Sequence, residues 1–226
     1  MTRRSRVVAS SVAAGAWALC AAIAAPLAQA PKCRTYPMEQ TRMFSVGGSA
    51  TEKCDFNGST FVHTCTMDLG LQVARKIVSV RQYQSAADFV DEVRVIPPIS
   101  RAVSGSTTYL PKPSGPGAQD TKLTFSYDAQ RRQTEMLTAF TDGRIVKTTF
   151  TAWDASGRPL AHNTNGQAFK FAYDDGLRTM SIAGPGGTQV HTFDQNGNLI
   201  KESEAPARGP GSTTTVTITK TGTVCR

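Results

Sequence analysis

His63 and Cys65 stand two residues apart, the spacing that puts both side chains on one face of a strand. An imidazole beside a thiol is the pairing that activates a cysteine nucleophile. The competing reading is a disulfide next to a surface histidine, and cysteine arithmetic favours it. Apart from Cys20, the chain carries Cys33, Cys54, Cys65 and Cys225. An even set in an exported chain implies two bridges, with three connectivities open. Cys54 and Cys65 flank Asn57-Gly58, a hairpin signal that brings the two sulfurs together. Cys33 and Cys225 then join the two ends of the mature chain. We expect bridges 54–65 and 33–225, which leaves no free thiol for a Cys-His enzyme.

Other residues that could do chemistry are dispersed. His63, His162 and His191 are too scattered for a metal site. Asp194-Gln195-Asn196-Gly197-Asn198 starts like a calcium loop but lacks glycine at the sixth place and has Ala205 at the twelfth. The carboxylate pairs Asp174-Asp175 and Asp91-Glu92 have the residue types of a glycosidase, yet adjacent acids on a turn and a helix read as solvated charges. Nucleophile elbows and phosphate loops are missing from the sequence. No catalytic residue, metal or cofactor is therefore expected, and a secreted hydrolase using a His/acid or Cys/His pair is the alternative reading.

The elements that must position these residues are set by a repeat. An aromatic followed by aspartate and a turn recurs at Tyr127-Asp128, Trp153-Asp154, Tyr173-Asp174 and Phe193-Asp194, with the aspartates 26, 20 and 20 residues apart. Between them lie Thr-, Val- and aromatic-rich segments bounded by Asp142-Gly143, Asn165-Gly166, Asp175-Gly176, Gly184-Pro185-Gly186-Gly187 and Asn196-Gly197. Such dipeptides supply the positive φ of tight hairpins, so residues 122–205 read as an antiparallel β-meander of about eight or nine strands. Phe169, Phe171 and Tyr173 share a face by period two. Phe150 and Trp153 break that period, which predicts a bulge at Thr151 or Ala152. The corner aspartates read as turn-capping acceptors, with glycine in the left-handed position.

The pattern resembles the YD repeat of the Rhs family, an aromatic-aspartate pair followed two or three residues on by Gly-Arg. Trp153-Asp154-Ala155-Ser156-Gly157-Arg158 and Phe193-Asp194-Gln195-Asn196-Gly197-Asn198 come nearest. Tyr127-Asp128-Ala129-Gln130-Arg131-Arg132 has lost the glycine, and Asp174-Asp175-Gly176 is one residue short. The resemblance covers about 84 of the 226 residues. It implies a β-sheet built of hairpin repeats. Large members look like spirals enclosing a toxin domain, which four copies cannot do.

Residues 1–24 have the layout of a secretory signal peptide: Arg3, Arg4 and Arg6, then an apolar run, then small residues with cleavage favoured at Ala24/Ala25. Cys20 lacks the preceding residues of a lipoprotein site. Removing that segment takes three positive charges from a formal +8, and no basic run interleaves with aromatics, which argues against nucleic acid as a partner. The mature chain is expected to lack a transmembrane segment. Residues 25–110 read as a small α+β unit with one short helix, Ser85 to Glu92, opened by a Ser85/Asp88 capping box and followed by a strand at Arg94 to Ile96 ended by Pro97-Pro98. A linker at 111–121 leads to the repeat sheet at 122–205, and residues 206–226 form a linker and a last strand alternating Thr with Val and Ile. Together these features predict a mainly β, secreted or periplasmic, non-catalytic binding or interaction module. Its partner would be a cell-surface glycan, stacked on Tyr127, Trp153 and Tyr173, or an envelope or toxin protein. Open sheet and barrel are both compatible with the pattern.

Overall fold

The computed structural model describes residues 32–70, 76–91, 101–110 and 119–226. The expected signal segment, the strand at Arg94 to Ile96 and the Pro111 to Ala118 connector lie outside those residues. Pro31–Arg226 forms one compact unit.

Among the described residues, fourteen antiparallel strands follow one another in chain order and close on themselves, β14 returning to pair with β1. The strands are β1 (Cys33–Phe44), β2 (Ser49–Asn57), β3 (Val62–Asp68), β4 (Lys76–Gln82), β5 (Ser104–Leu110), β6 (Thr121–Tyr127), β7 (Gln133–Phe140), β8 (Ile145–Trp153), β9 (Pro159–Thr164), β10 (Gln167–Asp174), β11 (Thr179–Gly184), β12 (Gly187–Phe193), β13 (Leu199–Pro206) and β14 (Ser212–Cys225). The meander is therefore a closed barrel, and closure removes the sheet edges that an open meander would have to protect. The boundary expected at 111–121 falls between β5 and β6, which pair from Ser104↔Thr124 to Thr107↔Thr121, so one sheet runs through both halves.

Alternation decides which face is inside. On β2, Ala50, Cys54 and Phe56 are buried while Thr51, Lys53 and Asp55 are exposed. On β14 the buried Val216 sits between exposed Thr215 and Thr217. The outer wall is thus rich in Thr, Lys and acids, unlike the apolar band of a membrane-spanning barrel. No helix among the described residues is long and apolar enough to cross a membrane.

Fourteen strands enclose more space than their own side chains fill at the usual barrel tilt. At one end the helix α1 (Ala86–Asp91) fills it. Asp88 N hydrogen-bonds to Ser85 Oγ, the expected cap. Six residues are too few to hold a helix in water, so tertiary packing must do it. Phe89 is fully buried, stacked on Phe56 at 4.2 Å and met edge-on by Tyr36 and Tyr83. Ala102, Phe125 and Met136 complete this cluster. Buried Asp88 is paired with Arg131, and Asp91 with Lys32 and Arg226, so the helix is tied to the corner after β6 and to the first and last described residues. A second cluster, Phe150, Phe171, Met180 and Ile182, packs under β8, β10 and β11, with Trp153, Phe169, Tyr173 and Phe193 against it. The ladder between β8 and β9 skips Thr151, one of the two positions expected to bulge, and slips again after Ala152, and this turns both Phe150 and Trp153 toward that cluster.

Both bridges are formed. Cys54 joins Cys65 across directly paired positions of β2 and β3, and Cys33 joins Cys225 across β1 and β14, 192 residues apart in sequence. The second bridge locks the seam that closes the barrel.

Candidate functional site

Hairpin connections alternate between the two ends of an up-and-down barrel, and the repeat period places all four aspartate corners at the end that holds α1. Three corners share one geometry. Asp154 N donates to Arg158 O and Gly157 N to Asp154 O, closing a five-residue turn with Gly157 at φ 79°. Asp128 and Asp194 close the same turn, with Arg131 at φ 60° and Gly197 at φ 76° in the left-handed place. The carboxylate completes it. Asp154 Oδ1 accepts from the amides of Ser156 and Arg158, and Asp194 Oδ1 from those of Asn196 and Asn198. The Asp174 corner is built differently. Asp174 pairs with Thr179 across a four-residue loop, its carboxylate takes Leu177 N, and the left-handed residue is Arg178 rather than Gly176.

At two corners the residue four after the aspartate extends the turn into a ladder. Arg132 Nε lies 2.7 Å from Asp128 Oδ2, and Arg158 Nε 2.7 Å from Asp154 Oδ2. Each guanidinium then covers the aromatic of the next repeat: Arg132 lies 4.7 Å from the centroid of Trp153, and Arg158 4.3 Å from that of Tyr173. Tyr127 and Tyr173 anchor their hydroxyls on the carbonyls of Ala102 and Pro159. The expectation of open stacking platforms at Tyr127, Trp153 and Tyr173 is corrected here: all three rings are half-buried against the core clusters, and arginines cap two of them. The arginines themselves were missed, although Asp-x-x-x-Arg recurs at 128/132, 154/158 and 174/178, with Asn198 in the fourth copy.

Electrostatics follow from this packing. Partial desolvation opposes charge on Asp154, but hydrogen bonds from the Arg158 side chain and backbone outweigh it and hold its carboxyl below the usual range. Asp128 is lowered in the same way by Arg132. Arg158, between Asp175 and Asp154, is raised further. Burial raises the Tyr173 phenol.

Between these corners and the first residues of β1 lies a cavity of about 560 Å³, lined by Arg34, Arg158, Tyr173, Asp175, Arg178 and Asn196 among others. A smaller one of about 300 Å³ lies beside Arg101, Arg131 and Arg132, and Arg158 borders both. Asp175 is largely exposed there and pairs with Arg158 at 2.6 Å.

No protein-family model matches this chain, and no curated protein matches it.

The three histidines are all inside. His63 is buried rather than on the surface as expected, with Nε2 3.6 Å from Cys65 Sγ. It is packed by Tyr36 and Phe89. His162 lies flat on Phe169 at 4.6 Å, with Nδ1 at 3.1 Å from Thr164 Oγ1 and Nε2 unpaired, and burial pushes its pKa down to about 4. His191 faces Glu202 across β12 and β13, and burial lowers it despite that carboxylate. The His/acid pair of the hydrolase reading therefore exists in register, but His191 is 1 % exposed and its Nε2 makes no hydrogen bond.

Proposed function

We propose that this protein is an exported, non-catalytic binding module of the cell envelope, and that it binds through the rim where the aspartate corners meet. The observation that carries the reading is the cavity of about 560 Å³ on that rim. Its size is that of a small-ligand pocket, and rigid turns rather than mobile loops supply its walls. Asp175, Arg178 and Asn196 offer acceptors and donors suited to hydroxyl groups, beside the apolar surfaces of Met180 and Phe193. A saccharide from the cell surface has this mixture of hydroxyl and C–H faces. Two bridges support an oxidising compartment, and together with the N-terminal residues they support secretion or a periplasmic site.

The YD-repeat relationship is part of the same proposal. Each residue of the aromatic-Asp-x-x-Gly-Arg pattern has a separate structural task in the Asp154 corner, which explains why such a pattern would repeat. A glycan array with the mature protein tests the binding reading. Binding to a defined saccharide, lost in Asp175→Ala and Arg178→Ala at unchanged melting temperature, is the expected result. Binding indifferent to both changes, or to no glycan at all, overturns it. Capture of a secreted polypeptide by the same residues reassigns the ligand class, and turnover abolished by His191→Ala would install the hydrolase reading instead.

A further inference from the structure

The Cys54–Cys65 bridge differs from the Cys33–Cys225 bridge in having an imidazole laid against it. One ligand atom each from Cys54, His63 and Cys65 lies within 4.8 Å of the others, all three inside the barrel. Two paired strands hold them: Cys54 is opposite Cys65, and His63 is two residues along on the same face. The imidazole is fixed from above, with Tyr36 edge-on at 5.8 Å and Phe89 at 5.1 Å. We infer that, once this bridge is reduced, Cys54, Cys65 and His63 form a binding site for a thiophilic metal ion of the Zn²⁺ or Cu⁺ class.

The geometry points there. With Zn–S near 2.3 Å and Zn–N near 2.0–2.1 Å, two ligands on one tetrahedral ion sit about 3.5 Å apart. His63 Nε2 already stands 3.6 Å from Cys65 Sγ. Once the bond between them is broken, the two sulfurs must part to roughly 3.8 Å, the tetrahedral edge for two thiolates, which rotation of the freed side chains supplies. Thiolate and imidazole select soft or borderline ions over Ca²⁺ and Mg²⁺. Three protein ligands leave one position for water or an external ligand.

The chemistry balances in two steps. A dithiol reductant delivers two electrons and two protons to the Cys54–Cys65 bond and becomes a disulfide itself. The two resulting thiols then release their protons as the divalent ion binds, and neutral His63 donates its lone pair. The metal replaces the covalent link between β2 and β3, so the hairpin under Phe89 keeps a staple in either redox state.

The test uses the full chain, reduced without oxygen by a phosphine and titrated with Co²⁺, then with Zn²⁺ in competition. One Co²⁺ per chain is expected, with sulfur-to-cobalt charge-transfer absorption that Zn²⁺ abolishes. The signal persists in the Cys33→Ser/Cys225→Ser variant, vanishes in Cys54→Ser and in Cys65→Ser, and weakens at least tenfold in His63→Asn. Circular dichroism of oxidised His63→Asn checks that its fold is intact before reduction. A reduced chain that binds no metal, whether folded or not, overturns the site. So does a signal that survives Cys54→Ser, or one unmoved by His63→Asn. This inference stands whether or not the rim binds a saccharide.

Discussion

The guanidinium of Arg158 lies 4.3 Å from the ring centroid of Tyr173, while its Nε is held 2.7 Å from Asp154 of its own repeat. One side chain thereby couples a turn to the strand that follows it, and Arg132 does the same between Asp128 and Trp153. Replacing Arg158 by alanine removes the charged hydrogen bonds and the cation–π cover together, a loss of about 1–2 kcal/mol. Lysine recovers little, because an ammonium cannot bridge the carboxylate and lie flat on the ring at once. Denaturant titration of Arg158→Ala, Arg158→Lys and Tyr173→Leu, closed into a double-mutant cycle, should show coupling of about 0.5–1 kcal/mol between positions 158 and 173. Strict additivity would mean that the stacking is decorative.

His162 makes stability depend on pH. Its folded pKa of about 4 lies below the 6.5 of an exposed imidazole. As pH falls through 6.5 the unfolded chain takes up a proton that the folded one refuses, so stability is full above that point and declines toward pH 4. The decline approaches about 3 kcal/mol if the whole shift is expressed. His162→Leu should lose about 1 kcal/mol above pH 6.5 through the Thr164 hydrogen bond, yet its melting temperature should fall less steeply than the parent's between pH 7 and 5, the decline that remains belonging to buried His191. Parallel pH curves for variant and parent would contradict this account.

The Cys33–Cys225 bridge spans a far longer loop than Cys54–Cys65, with sequence separations of 192 and 11. In the chain-entropy treatment these correspond to about 5 and about 3 kcal/mol. Cys33→Ser/Cys225→Ser should be the more destabilised pair, and hydrogen exchange should quicken first along β1 and β14, the seam that the bridge locks. Equal losses for the two pairs would show that the barrel closes without help from its ends.

Gly184 marks a close approach rather than a turn requirement. A Cβ built there would stand 2.3 Å from the Phe169 ring, which lies across the glycine from β10. Gly184→Ala must push Phe169 off His162 and the second cluster, at a cost of about 1–3 kcal/mol. Near-ultraviolet circular dichroism and a thermal melt would register the displacement. A variant as stable as the parent would mean that Phe169 has room to move.

Much of the corner chemistry was legible in the chain. Asp-x-x-Gly turns, the Ser85/Asp88 cap, the bulge between Phe150 and Trp153 and the pairing of Cys54 with Cys65 all depend on residues close in sequence, where spacing alone constrains geometry. The fate of the aromatics was not. Period two shows that Tyr173 shares a face with Phe169 and Phe171, and a bulge brings Trp153 to the face of Phe150, but neither shows that an arginine 15 residues before Tyr173 or 21 before Trp153 would cover the ring.

What the sequence by itself determined is the unit: a hairpin of about twenty residues, its aspartate corner, its strand count and the cysteines that would bridge. What only the tertiary structure decided is closure. β1 meets β14 through pairs such as Gln40↔Ile218, and no local pattern specifies a partner so far along the chain. Thr-rich outer faces blur the alternation that would assign inside and outside, so the direction in which twist accumulates, and whether the last strand reaches the first, emerge only when all fourteen registers are summed. That closure gathers the four corners on one rim, sets α1 within the same end and turns His63, His162 and His191 inward.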